Sequence, residues 1–259
     1  MNKYLSNFAK YRNLVVELVK KDIKLKYRRS YLGVIWTLLE PLLSMAVLAV
    51  VFSNLKGKSD VAFPVYILSG RLVVSFFSSA TKQAAKSIQN NASMIKKVYV
   101  PKYIYPTSCV ISNFVIFLIS LIVLAAVSIV FQVKPTIYLL TAVFPVFFLF
   151  IMAWGVGLII ATLTVFFRDV EYLWGVLMML VHYCSAIFYT PEAVVAKGFG
   201  WVFDLNPVYA AVRNFRNAVL YGQPLHAPSM TYLMVFSVAS LLIGTFVFYK
   251  KQDKFILHV

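Results

Sequence analysis

The sequence predicts an all-α membrane protein with six transmembrane helices, and three observations support that class. Apolar residues make up 61% of the 259 positions and charged residues 13%, a balance that would leave a soluble fold with large apolar surface in water. Six apolar runs, 33–54, 64–81, 107–131, 138–163, 171–189 and 229–249, each approach the roughly 20 residues that span a bilayer as a helix. The 25 Lys and Arg outnumber the 9 Asp and Glu and gather in alternate gaps: nine precede Gly33, five lie in 82–106, Arg168 stands alone and three follow Tyr249. The intervening gaps hold six, at Lys56, Lys58, Lys134, Lys197, Arg213 and Arg216, so the positive-inside rule places both termini in the cytoplasm.

Taken in order, residues 1–32 read as an amphipathic helix lying in the membrane interface. Tyr4, Phe8, Tyr11, Val15 and Leu18 fall on one stripe of an ideal wheel, and Lys10, Asn13, Glu17, Lys21 and Lys24 fall opposite. The apolar stripe is expected to dip into the acyl boundary and the lysines to meet anionic headgroups. A simple anchor and an anchor that also touches a cytoplasmic partner both fit. The stretch is too charged, and the first apolar run too long, for a cleavable signal, so targeting falls to the first span.

The gap 82–106 starts with helix formers through Ala84, Ala85, Lys86 and Ile88, breaks at Asn90 and Asn91, resumes near Met94 and stops at Pro101. Antiparallel spans need only a few residues to connect, so this length, with basic and apolar residues interleaved, suggests a cytoplasmic docking surface. The outer gap 190–228 alternates Val194, Phe199, Trp201, Phe203, Val208, Phe215 and Tyr221 with Gly, Pro and charges. Short re-entrant or interfacial helices suit it better than a soluble unit, with a break at Asn206-Pro207. Residues 250–259 form a cytoplasmic tail, and 1–259 reads as one domain without internal repeats.

Chemistry is sparse. Gly57-Lys58-Ser59 is the nearest approach to a phosphate cradle, but Phe52 stands where the earlier glycine belongs, and the tripeptide falls on the outer side. Asp169 and Glu171 are the only closely spaced carboxylates near the cytoplasmic face, and an N-cap at Asp169 with Glu171 in the first turn and Arg168 adjacent explains them without catalysis. Cys109, Cys184 and the three histidines have no ligand spacing. The sequence therefore carries no catalytic residue, no metal set and no bound cofactor, and its basic surplus belongs to the membrane face rather than to nucleic acid.

Two charges fall inside predicted spans, where each costs at least about 2.5 kcal/mol near the bilayer centre unless paired or hydrated. Glu40, just before Pro41, faces a partner helix or water. For Arg71 two readings stand: snorkelling towards headgroups, or lining a route for an anionic substrate, which guanidinium geometry suits. Trp174, Tyr183 and Tyr189 likewise serve either as helix packing or as flat faces for sugar rings.

Four strings together resemble the permease subunit of bacterial ABC transporters that export polysaccharides such as O-antigen, capsule, teichoic acid or rhamnose-rich glycans. They are Tyr31-Leu32-Gly33-Val34-Ile35-Trp36 with Glu40-Pro41-Leu42, the run from Asn91 to Pro101 closing at Pro106, Phe167-Arg168-Asp169-Val170, and Phe188-Tyr189 with Asn206-Pro207. Their order against the spans extends the likeness over nearly the whole chain.

The resemblance implies a half-channel: a second copy pairs with the first, and two copies of a cytoplasmic ATP-binding subunit, which uses ATP and Mg, dock beneath. It places a coupling helix in 82–106, with Asn91, Met94, Ile95, Val98 and Tyr99 at the ATPase, Lys96 and Lys97 at the rim and Pro101 ending the segment. It makes residues 1–32 the portal for a lipid-linked glycan and the outer gap a pair of re-entrant helices. Gly33, Trp36, Pro41, Arg168, Asp169, Asn206 and Pro207 are its structural signatures. Val74 stands where members often carry tryptophan, and Arg71 where they carry an apolar residue, which points to a different substrate contact. The rival readings are a permease for a small lipid or drug, a membrane enzyme acting on lipid-linked sugars, and an ion channel or secondary carrier.

Overall fold

The computed structural model describes residues 2–26, 28, 30–56, 62–97 and 100–257, and all regular structure in them is helical. The helices are α1 (Asn2–Lys26), α2 (Trp36–Lys56), α3 (Phe63–Asn90), α4 (Ala92–Lys97), α5 (Ile104–Val130), α6 (Val143–Phe166), α7 (Asp169–Tyr183), α8 (Glu192–Val195), α9 (Trp201–Asp204), α10 (Pro207–Val219) and α11 (Ala227–Lys251). Short 3-10 turns precede α2 and α6 and follow α11.

Among the described residues, four helical stretches are long and apolar enough to cross a membrane: Phe63–Asn90, Ile104–Val130, Ile137–Phe166 and Ala227–Phe255. The other two expected spans are shorter. The apolar part of α2 is Trp36–Val51, and the 15 residues of α7 reach about 22 Å against a hydrocarbon core of about 30 Å. The apolar run 171–189 is thus one helix followed by a buried, non-helical turn.

The bundle is built around α3, which packs against α2, α5, α6, α7 and α10. Its Val65, Ile67, Leu68, Ala80, Ala84 and Ile88 are wholly buried. α6 lies along α11 at close range because Gly155 and Gly244 meet at the crossing; a methyl group on either would fall on the backbone of the other helix. In α2, Pro41 has no N–H for the carbonyl four residues earlier, and that carbonyl, on Thr37, accepts instead from Ser120 Oγ of α5 at 3.3 Å. The chain enters α2 through Gly33, whose φ of +51° suits glycine.

A second core closes the end of the bundle where α3 meets α4. Val15 and Leu18 of α1, Ile88 of α3, Ile95 of α4, Ile104 and Tyr105 of α5, Leu158 and Val165 of α6, and Phe248 and Phe255 pack together. The apolar stripe of α1 therefore covers protein at Val15 and Leu18, where the sequence suggested lipid. Asn13, Glu17, Lys21 and Lys24 are exposed as the wheel placed them. The segment after α11 docks here as well, with Lys102 Nζ donating to the Gln252 carbonyl at 2.6 Å.

Candidate functional site

The face of α3 left open by its neighbours is polar throughout. Between Arg71 and Lys86 the positions that are not buried are Arg71, Ser75, Ser78, Ser79, Lys82, Gln83 and Lys86, spaced three and four apart along one side of the helix. Arg71 begins about 12 Å from the Phe63 end, so a polar strip runs along most of a membrane-length helix. α2 lies against α3 and α5, and α7 lies against α3 and α6, so these two helices wall the strip into a groove. A cavity of about 80 Å³ opens on the α2 side, lined by Lys26, Thr37, Glu40, Arg71, Ser75, Ser79, Asn113 and Ser120 together with Phe76 and Phe117.

Glu40 and Arg71 thus share one cavity and act on each other electrostatically, but they do not form an ion pair. On the α7 side, Trp174 Nε1 donates to Thr81 Oγ1 of α3 at 3.0 Å, which ties the indole to the groove edge. Glu171 pairs with Lys86 across the groove mouth, where the sequence suggested pairing with Arg168. Asp169 is the first helical residue of α7, and the N-cap position falls on Arg168 without a side-chain cap, a correction to the expected Asp169 cap. Tyr183 is exposed at the far end of α7. Tyr189 turns away into a cluster with Phe203 and donates to the Tyr183 carbonyl at 2.7 Å. Arg71 and Trp174 therefore border the groove, and Tyr189 does not.

The α7 helix stops at Tyr183 because distant side chains hold the carbonyls of the turn that follows. Asn206 Nδ2 donates to the Cys184 carbonyl at 3.1 Å, and Asn206 Oδ1 caps α10 by accepting from the Val208 and Tyr209 amides. Pro207 opens that helix. Tyr66 Oη of α3 bridges the Ala186 and Tyr189 carbonyls at 2.9 and 2.8 Å. Arg216 of α10, 3% exposed, donates to the Ala186 and Tyr66 carbonyls at 2.9 Å each and lies over the Tyr66 ring at 3.5 Å. Gly70 makes room for that guanidinium, since a methyl there would overlap it. Non-helical backbone at this depth is tolerated because protein groups satisfy it.

At the opposite end, Asn91 ends α3 and links it to α1: its Nδ2 donates to the Ser87 carbonyl at 2.8 Å, and its Oδ1 accepts from Lys21 Nζ at 3.1 Å. Within α4, Ile95 is buried in this chain's own core and Met94 packs beside it, while Ser93, Lys96 and Lys97 are exposed. Pro101 precedes the turn that starts α5. Val98 and Tyr99 lie outside the described residues.

The polar face of α3 was missed in the sequence reading, although Arg71, Ser75, Ser78, Lys82 and Lys86 recur at helical spacing there. Buried Arg216 was counted only as a loop charge, and nothing local distinguishes it.

Residues 13–220 match the family model described as ABC-2 type transporter. The O-antigen export system permease protein RfbA of Klebsiella pneumoniae is 26% identical over 245 residues, covering 94% of this chain and 93% of its own length. Its namesake in Myxococcus xanthus is 26% identical over 259 residues, with 98% of each chain covered. The polysialic acid transport protein KpsM of Escherichia coli is 23% identical over 259 residues, covering 96% and 97%. The family match takes in the groove, α4 and the capped turn after α7, and on that extent the chain belongs to the ABC-2 type transporter family.

Proposed function

We propose that this chain is the membrane-spanning subunit of an ATP-driven exporter that moves a polyprenyl-pyrophosphate-linked polysaccharide from the cytoplasm to the outer face of the bacterial plasma membrane. The observation that carries the reading is the polar floor of α3 between α2 and α7, because a hydrated polymer needs a lane of hydroxyls and charges where lipid offers none. The relatives support it, being named for O-antigen export, polysialic acid transport and capsule polysaccharide export.

In this reading the chain is a single permease domain over 1–259 that crosses the membrane six times with both termini cytoplasmic. α2 and α7 complete their crossings with the help of the turns that flank them, and α8 to α10 form re-entrant helices over the outer end of the groove. α1 is the interface helix at the portal. The exposed apolar faces of α2 (Leu43, Val47, Val50) and α7 (Tyr172, Val176, Met179, Tyr183) suit contact with a second copy, which would close the groove into a conduit. α4 is the coupling helix. With Ile95 turned inward, it presents Ser93, Lys96 and Lys97 to one of two cytoplasmic ATP-binding subunits, and that partner binds ATP and Mg.

Depletion tests the reading. Cells losing the chain are expected to accumulate lipid-linked glycan on the cytoplasmic leaflet and to lose it from the surface; unchanged surface glycan contradicts the proposal.

A further inference from the structure

The polar side of α3 is rich in donors and poor in acceptors. Arg71 and Lys82 make no ion pair or hydrogen bond with any described residue, although Arg71 lies inside a membrane-length helix. On the buried side of the same helix, Ser69, Thr81 and Ser87 donate back to carbonyls of α3 itself. Ser75, Ser78 and Ser79 make no such bond, and their hydroxyls stand between the two cations with no acceptor among the described residues. A guanidinium without an ion-pair partner at this depth is costly. A row of unspent donors about 16 Å long, the rise of eleven helical residues, matches a ligand with several acceptor oxygens and negative charge.

We propose that the α3 row from Arg71 through Ser75, Ser78 and Ser79 to Lys82 binds an oxygen-rich anionic group, phosphate or carboxylate, carried by the transported molecule, in two stations about three turns apart on one helix face. This rests on the export reading above. Lys82 is the station nearer the Asn90 end and Arg71 the deeper one. Glu40 lines the same cavity as Arg71, and its carboxylate opposes tight retention of an anion there, which suits a ligand that must move on. Lys86 takes no part, because Glu171 already neutralises it. The anion is either the diphosphate of a lipid carrier or an acidic group on the glycan, and the same donors would serve both.

The test uses the chain with its ATP-binding partner in nanodiscs of zwitterionic lipid, and equilibrium binding of farnesyl diphosphate, farnesol, oligogalacturonate and maltoheptaose. Wild type is expected to bind at least one charged probe about tenfold tighter than its uncharged counterpart. Selectivity for farnesyl diphosphate assigns the anion to the lipid carrier, and selectivity for oligogalacturonate assigns it to the glycan. Arg71→Gln with Lys82→Gln is expected to erase the preference, and Arg71→Lys to keep most of it. If the double variant fails to assemble, exposed Lys82→Gln alone carries the test, with a partial loss expected. Equal binding of charged and uncharged probes, or a preference unchanged in the variants, overturns the proposal. Intact glycan export together with unchanged anion binding in the double variant sinks this inference alone; lost anion binding in a chain whose depletion leaves surface glycan intact sinks the export reading alone.

Discussion

Asp22 sits where α1 meets α5, with the Cys109 thiol donating to its carboxylate at 3.7 Å. Burial raises its carboxyl above the ordinary value of 3.8, and neighbouring Lys21 only partly offsets this. A raised folded value means that the folded chain holds the proton more tightly than the unfolded one. The contribution to stability is therefore complete below the unfolded carboxyl range and is lost as pH rises through the folded value. At neutral pH α1 docks against this cost, and Asp22→Asn is expected to raise Tm in detergent at pH 7 and to flatten its dependence on pH between 4 and 7. Gly70 gives a second test at this scale. Gly70→Ala drives a methyl into the Arg216 guanidinium and is expected to destabilise the chain by about 1–3 kcal/mol, measured by thermal unfolding. Alanine at neighbouring Ser69, whose hydroxyl only bonds back to its own helix, should cost much less.

Among the elements, α6 and α11 depend on their glycine crossing. Gly244→Ala places a methyl on the Gly155 carbonyl and is expected to separate the helices and cost about 1–3 kcal/mol, read as a lower Tm and loss of monodisperse protein. The lengths of α5, α6 and α11 were legible in the sequence, because each is a long apolar run whose backbone bonds close within the helix, whereas α3 continues past Thr81 to Asn90 and takes in the stretch expected as a separate short helix of the cytoplasmic gap. The end of α7 was not: apolar residues continue to Tyr189, and the helix stops at Tyr183 only because Tyr66, Asn206 and Arg216, remote in sequence, supply donors to the turn. The inward side of α4 was equally hidden, since six residues carry too little pattern to tell whether Ile95 meets this chain or a partner. With Ile95 committed to the chain's own core, the proposed docking falls to the exposed basic residues. Lys96→Glu with Lys97→Glu is expected to abolish co-purification of the ATP-binding subunit while leaving Tm unchanged; undiminished co-purification would place the interface elsewhere.

At the scale of the whole molecule, the two larger of three cores among the described residues divide the labour. One surrounds the groove and anchors α10 against α3. The other joins α1, α4, the ends of α6 and α11, and the segment around Phe255, so that Ile95 of α4 shares a core with Val15 and Leu18 of α1, and Asn91, between α3 and α4, bonds Lys21 of α1. In the export reading the groove between α2 and α7 is the passage and the ATP-binding partner supplies the energy. The most direct measurement is reconstitution in liposomes bearing lipid-linked glycan on the face exposed to added ATP, with the chain alone and with its ATP-binding partner. The expected result is nucleotide turnover and glycan delivery to the lumen only when both are present. Turnover or delivery by the chain alone would contradict the account.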